Sequence, residues 1–232
     1  MADAVFIRRE REGFAHEKQD EEAGGCDRHG TVYRVCTVRL RQQKPTEKDA
    51  RDYVKATLDI IMTGDYEHSV KFSDVSADEA KQMRADMLDQ VGDALTGDSG
   101  ITYPEETIKA FRDVMDKGLQ KCRFTVGDAV AADEGFDVTV TVEPLVMMDS
   151  TDTNDKLMSY LLSVPGVTSM SQEELSIKAV DYIISLMGEG LDNPTYEAPV
   201  QVTVHYGELE DGQYGVSEAD GERLGEKPFV MK

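Results

Sequence analysis

From Phe136 to Glu143 every second residue is apolar: Phe136, Val138, Val140 and Val142 alternate with Asp137, Thr139, Thr141 and Glu143. Successive side chains of an extended chain point to opposite faces, so this run commits the segment to a β-strand with one buried and one wet face. Such a strand needs neighbours in register and a second layer over its apolar side. Both are legible. Arg123 to Val130 reads as a preceding strand, joined through the turn Asp133-Glu134-Gly135. Tyr196, Ala198, Val200, Val202, Val204 and Tyr206 repeat the alternation, and an Asp211-Gly212 turn leads to a short strand from Gln213 to Val216. The sheet is expected to be antiparallel, dry on one face.

The covering layer is helical. Thr46 can cap a helix whose apolar face is Ala50, Tyr53, Val54, Leu58 and Ile61, stopped at Gly64. The box Ser76-x-x-Glu79 opens a second (Ala80, Met83, Met87, Val91, Leu95, ending at Gly97). A third starts at Thr102-x-Pro104-Glu105, with the proline in its first turn, and runs through Ile108, Phe111, Met115 and Leu119. Between the strands, Asp152 to Gly190 is again helical: Leu157, Tyr160 and Leu161, a break at Pro165-Gly166, then the box Ser171-x-x-Glu174 leading into Ile177, Val180, Ile184 and Met187. Helices first and strands after predict an α+β fold, with N-terminal amphipathic helices packed on an antiparallel sheet and a helical insertion between strands. Lys117 to Lys121 runs straight from helix into strand, so residues 45–232 are expected to form one domain, the Ile108, Phe111 and Met115 face and the Phe136 to Val142 face burying each other.

The helix Thr46-Glu-Lys-Asp-Ala-Arg-Asp-Tyr-Val-Lys-Ala56, the Gly64-Asp65-Tyr66 that follows, a second amphipathic helix and the strand Asp137-Val-Thr-Val-Thr-Val-Glu-Pro144 together resemble extracellular lipoproteins of Gram-positive Firmicutes. Those carry domains of unknown function, some similar to the cystatin-like or nuclear-transport-factor-two-like half barrel. The resemblance covers Pro45 to Val216, implies a lipid-anchored extracellular protein, and brings no site residues with it.

Residues 1–44 have no structural period and read as a disordered tail or as something other than a domain. Shifting the reading frame by one nucleotide sharpens this. His16 becomes Met or Thr, Glu17, Gln19, Glu21 and Glu22 are forced to Lys or Arg, and the codons beginning in Cys26 and Cys36 must encode Val or Ala. Permissive codon choices then give a basic n-region, an apolar stretch and a Leu-Ser-Gly-Cys lipobox, a lipoprotein signal absent from the written frame, which has neither a signal peptide nor a transmembrane segment. This places the protein on the outer face of the cytoplasmic membrane.

The charge narrows the partners. The chain carries −21, and residues 1–44 hold nine Lys/Arg against eight Asp/Glu, which leaves −22 on the rest. Phosphate backbones and anionic membrane surfaces are repelled, so nucleic acid is excluded and a membrane is reached only through the anchor. No nucleophile motif, phosphate loop, dinucleotide fingerprint or zinc signature occurs. Cys122 is alone after residue 44 and reads as a core residue. His68 and His205 are too far apart in sequence to argue for zinc, and His205 sits on the outward face of its strand. The weak metal candidate is Asp149, Asp152, Asn154 and Asp155, oxygen ligands closely spaced in a loop, which helix capping by Thr151 or Thr153 explains as well. The methionines, Met83, Met87, Met115, Met147, Met148, Met158, Met170 and Met187 among them, read as core filling, with a Met-lined groove for an apolar ligand or peptide as the functional alternative. The acidic runs Glu208 to Asp211 and Glu218 to Glu222 read as solvated faces.

No cofactor or catalytic residue is expected. The leading expectation is a lipid-anchored extracellular binding or interaction module for an unknown protein or small ligand. Two other classes remain: a carboxylate-based hydrolase or lyase in a half-barrel pocket, and a cytosolic acidic protein with a disordered tail.

Overall fold

The computed structural model describes residues 44–66, 76–97, 100–210 and 212–231, so the tail and signal readings of residues 1–43, and His68, lie outside it. Among the described residues the helices α1 (Glu47–Leu58), which runs on into a π-helical turn at Asp59–Thr63, α2 (Ala77–Thr96) and α3 (Glu105–Leu119) come first. Then follow β1 (Arg123–Ala132), β2 (Gly135–Glu143), β3 (Leu145–Met148), α4 (Ser150–Ser163), a 3-10 turn (Val167–Ser169), α5 (Gln172–Asp192), β4 (Thr195–Tyr196), β5 (Val200–Glu208), β6 (Tyr214–Val216), α6 (Glu218–Gly225) and β7 (Phe229–Met231). The class is α+β, with the helical insertion between strands.

Helix starts follow the sequence. Thr46, Ser76 and Ser171 each accept from the N–H of the residue three positions on, whose carboxylate accepts from the cap's own N–H. These hydrogen bonds, the backbone one first, hold the carboxyls of Glu79 and Glu174 below the usual glutamate range. Pro104 differs from expectation. It occupies the N-cap position rather than the first turn.

The π-helical turn after α1 leaves carbonyls without ordinary helical partners, and a buried arginine supplies them. Arg84 of α2 donates Nη1 to the carbonyls of Ile60 (2.9 Å) and Ile61, and Nε and Nη2 to Asp116 Oδ1 of α3 (3.1 and 2.6 Å). One guanidinium thus ties together three helical elements. Gly64 ends the turn at φ +71, in the left-handed region that glycine enters without strain.

The main sheet has the order β1-β2-β5-β6, all neighbours antiparallel. Val138, Val140 and Val142 stand opposite Val204, Val202 and Val200, so the alternations of β2 and β5 are in phase. In β1 a bulge between Val126 and Ala129 shifts the register by one residue. The inward set therefore moves from Phe124 and Val126 to Ala129, and Val130 is left 65% exposed. α1 covers this sheet: Ala50, Tyr53, Val54 and Leu58 pack with Val126, Val138, Val140, Val142, Val204 and Tyr206.

A second sheet, β4-β3-β7, was not expected from the pattern, and it pairs β3 with β7 in parallel. The expected strand from Tyr196 to Tyr206 is accordingly two. Pro199 cannot donate to a ladder, so the chain leaves β4 in this sheet and enters β5 in the other. Around β3 lies a second core of Val114, Leu145, Met147, Ile184, Met187 and Leu191, with Phe111 and Met115 packed on it. The α3 face expected to meet Phe136 to Val142 thus goes to β3 and α5, while Leu119 and Cys122 at its end join the main core. Gly190 permits that approach, since a Cβ there would lie 2.7 Å from the Met147 carbonyl oxygen.

Candidate functional site

The structure does not gather the proposed cation ligands. Asp152, Asn154 and Asp155 lie within α4, not a loop, and all three are exposed. On a helix Asp152 and Asn154 point about 200° apart, so they cannot close on one ion. Among the described residues no group of three or more His, Cys, Asp or Glu is placed to hold a metal. Thr153 is not a cap either. It sits one turn inside the helix, and its hydroxyl donates to the Asp149 carbonyl.

His205 faces outward, as expected, but it is partnered. Its Nδ1 lies 2.9 Å from Asp137 Oδ1 on the adjacent strand, and its backbone N–H donates to Asp220 Oδ2 at 2.9 Å. That second bond corrects the picture of Glu218 to Glu222 as wholly solvated: Asp220 turns in from α6 and also pairs with Arg223 at 2.6 Å. Cys122 is buried, and desolvation pushes its thiol up to about 12, with the Arg84 charge opposing. Desolvation, with the charge of Asp49 behind it, does the same to Tyr206, also to about 12. Neither is a nucleophile near neutral pH.

Under α6 lies an apolar crevice of about 40 Å³, lined by Val54, Leu58, Ile61, Met62, Val204 and Leu224 among others and by no titratable side chain. Ligand pockets run to roughly 300 Å³ or more. This one is a gap in packing between α1 and α6.

The helical insertion is the distinctive surface. α4, the 3-10 turn and the first half of α5 form an arm in which, among the described residues, Thr153 alone is buried. Yet α4 carries Leu157, Met158, Tyr160, Leu161 and Leu162, more large apolar residues than one packed face accommodates. Leu157 and Leu161 are half-buried, whereas Met158 is 57% and Leu162 72% exposed. Met158 is therefore not core filling, unlike Met87, Met147 and Met187. Beside it runs an open groove of about 520 Å³, lined by Asp152, Asp155, Lys156, Ser159, Tyr160, Ser163 and, from α5, Tyr182. The two tyrosine rings stack at 4.2 Å, tilted by 3°. Sequence reasoning assigned Tyr160 to an apolar face and passed over Tyr182 and Leu162. The surplus of large apolar residues on a short helix was the available signal.

With this geometry established, the fold has a counterpart. It superposes on ycdA of Bacillus subtilis, described as a "putative lipoprotein", with a TM-score of 0.55 and 16% sequence identity over 79% of this chain and 56% of that one. This chain thus spans little more than half the length of that protein, and at such identity the likeness is one of fold. No family model matches the chain, and no curated protein matches it. No helix among the described residues is long and apolar enough to cross a membrane.

Proposed function

We propose that this protein is a lipid-anchored, surface-exposed interaction module that binds through the α4–α5 arm and performs no catalysis. The observation that carries this reading is a helix rich in large apolar residues with Met158 and Leu162 left in water. Large side chains kept out of both cores cost solubility, and exposed apolar patches of this kind mark interaction sites. The fold shared with a lipoprotein candidate supports the compartment, as does the lipobox in the shifted frame. α1 lying across a four-stranded antiparallel sheet agrees with the half-barrel likeness. Against the hydrolase or lyase alternative stands the geometry of the described carboxylates: the apolar crevice has none, and the Asp137–His205 pair is about half exposed on the outer sheet face.

The test is made on cells expressing the gene from its own locus. A fatty-acid label should enter the protein, external protease should reach it, and a photo-crosslinking amino acid at Leu162 should give discrete adducts that one at Thr139, on the outer sheet face, does not. Absence of label and of position-specific adducts together would defeat the proposal.

A further inference from the structure

What the arm holds can be argued from its chemistry. Resting on the interaction reading above, we propose that the exposed strip of α4 formed by Asp152, Asp155, Met158 and Leu162 docks a cationic amphipathic helix of a partner protein. From Asp149 to Tyr182 the arm carries six carboxylates against Lys156 and Lys178, a net charge of −4. Asp152 and Asp155 line the groove itself, and among the described residues no lysine or arginine pairs with either. Asp155, Met158 and Leu162 follow at three- and four-residue steps along α4, so a carboxylate and two exposed apolar side chains share one strip of that helix.

Each alternative occupant meets an obstacle. A neutral apolar ligand would cover Met158 and Leu162 but desolvate the groove carboxylates without a counter-charge. A second copy of this chain brings another −21, and an anionic lipid surface is repelled in the same way. A helix with leucines at i and i+4 matches the Met158–Leu162 spacing, and lysines or arginines flanking that stripe fall over Asp155 and Asp152.

The experiment titrates the whole chain into two fluorescein-labelled synthetic peptides, a Leu/Lys amphipathic helix and its Leu/Glu counterpart, read by anisotropy. The Leu/Lys peptide should bind and the Leu/Glu peptide should not. Met158→Asp with Leu162→Asp, and separately Asp152→Asn with Asp155→Asn, should each weaken binding about tenfold or more, with thermal melts unchanged because all four positions are exposed. The first pair is the more telling, since it adds negative charge and should still lose affinity. Leu/Lys binding untouched by either pair would overturn the proposal, showing only the general acidity of the chain. Equal binding of both peptides, lost in Met158→Asp with Leu162→Asp, would also overturn it while leaving the arm an interaction face. Self-association in sedimentation that this same pair abolishes would name a second copy as the occupant and overturn it likewise. If neither peptide binds, the cationic helix is wrong, and the crosslinking at Leu162 then decides the broader reading by itself.

Discussion

Replacing Arg84 by methionine should be among the most damaging single substitutions the protein can suffer. The side chain is 6% exposed, and Asp116, its partner, 31%. Methionine keeps an apolar stem of similar reach, so the packing loss is small and the polar loss dominates. Two carbonyls of the π-helical turn, Ile60 and Ile61, lose their donor, at roughly 1 to 3 kcal/mol each if water does not replace it. Asp116 loses its cation but can regain hydration through its exposed third, which argues for the low end of the usual cost of breaking a buried pair. Taken as the removal of one partner from a buried pair, the whole loss is about 3 to 5 kcal/mol. In a domain of this size that corresponds to a fall in Tm of about 10 °C. Urea unfolding followed by circular dichroism measures it, with an unchanged slope confirming that the denatured state is unaltered. Asp116→Asn gives the division: its amide oxygen still accepts from Arg84, so it should cost about 1 kcal/mol. A loss below about 1 kcal/mol for Arg84→Met, or an Asp116→Asn as severe as Arg84→Met, would refute the claim that this arginine is there to satisfy the turn.

Glu134 adopts φ 61 at the tip of the β1–β2 hairpin, and Glu134→Gly should stabilise the protein by roughly 0.5 to 1 kcal/mol in the same urea assay, relief of left-handed strain outweighing glycine's extra chain entropy. Cys122 and Tyr206 both have folded pKa values raised to about 12, so the folded state keeps protons that the unfolded state releases; stability should hold up to about pH 9 and fall as pH rises from there toward 12, and the native thiol should resist a disulfide reagent until urea unfolds the chain. Calcium added to the metal-free protein should leave Tm unchanged, and a clear rise would revive Asp149, Asp152, Asn154 and Asp155 as ligands. Residues 45–121 and 122–232, expressed apart, should each fail to fold cooperatively, because the main core takes Val54 and Leu58 from the first piece and Val138, Val140 and Val204 from the second.

What the sequence disclosed and what it hid follow from how far each determinant reaches. The Thr46, Ser76 and Ser171 caps are decided within four residues, and all three form. The Val138 to Val142 alternation is decided by a face of the sheet, and it too holds, because a one-residue slip would bury Thr139 and Thr141. The second sheet was illegible because β3 is only Leu145-Val-Met-Met148, a continuous apolar run without a period, and its partner β7 comes from more than eighty residues away. Arg84 was invisible for a related reason. On the helix pattern it is one more charged residue in α2, and only the π-helical turn and Asp116, brought in from two other elements, make it a buried linchpin.

The arm lies between these cases. Its helices and its break at Pro165-Gly166 were legible locally, yet the sequence assigned its apolar residues to a core that does not exist there. A helix that packs on one neighbour can hide about one face in three, and α4 packs chiefly on α5. Leu157 and Leu161 take that place, while Met158 and Leu162, one residue further round, stay exposed among the described residues. Folding alone gives no reason to keep both, since lysine or glutamate at either position would serve helix propensity equally well and solubility better. On the proposed interaction reading, the reason for both lies outside the chain's own stability. That is what separates this surface from the crevice under α6, whose lining is explained by the packing of α1 and α6 on the sheet.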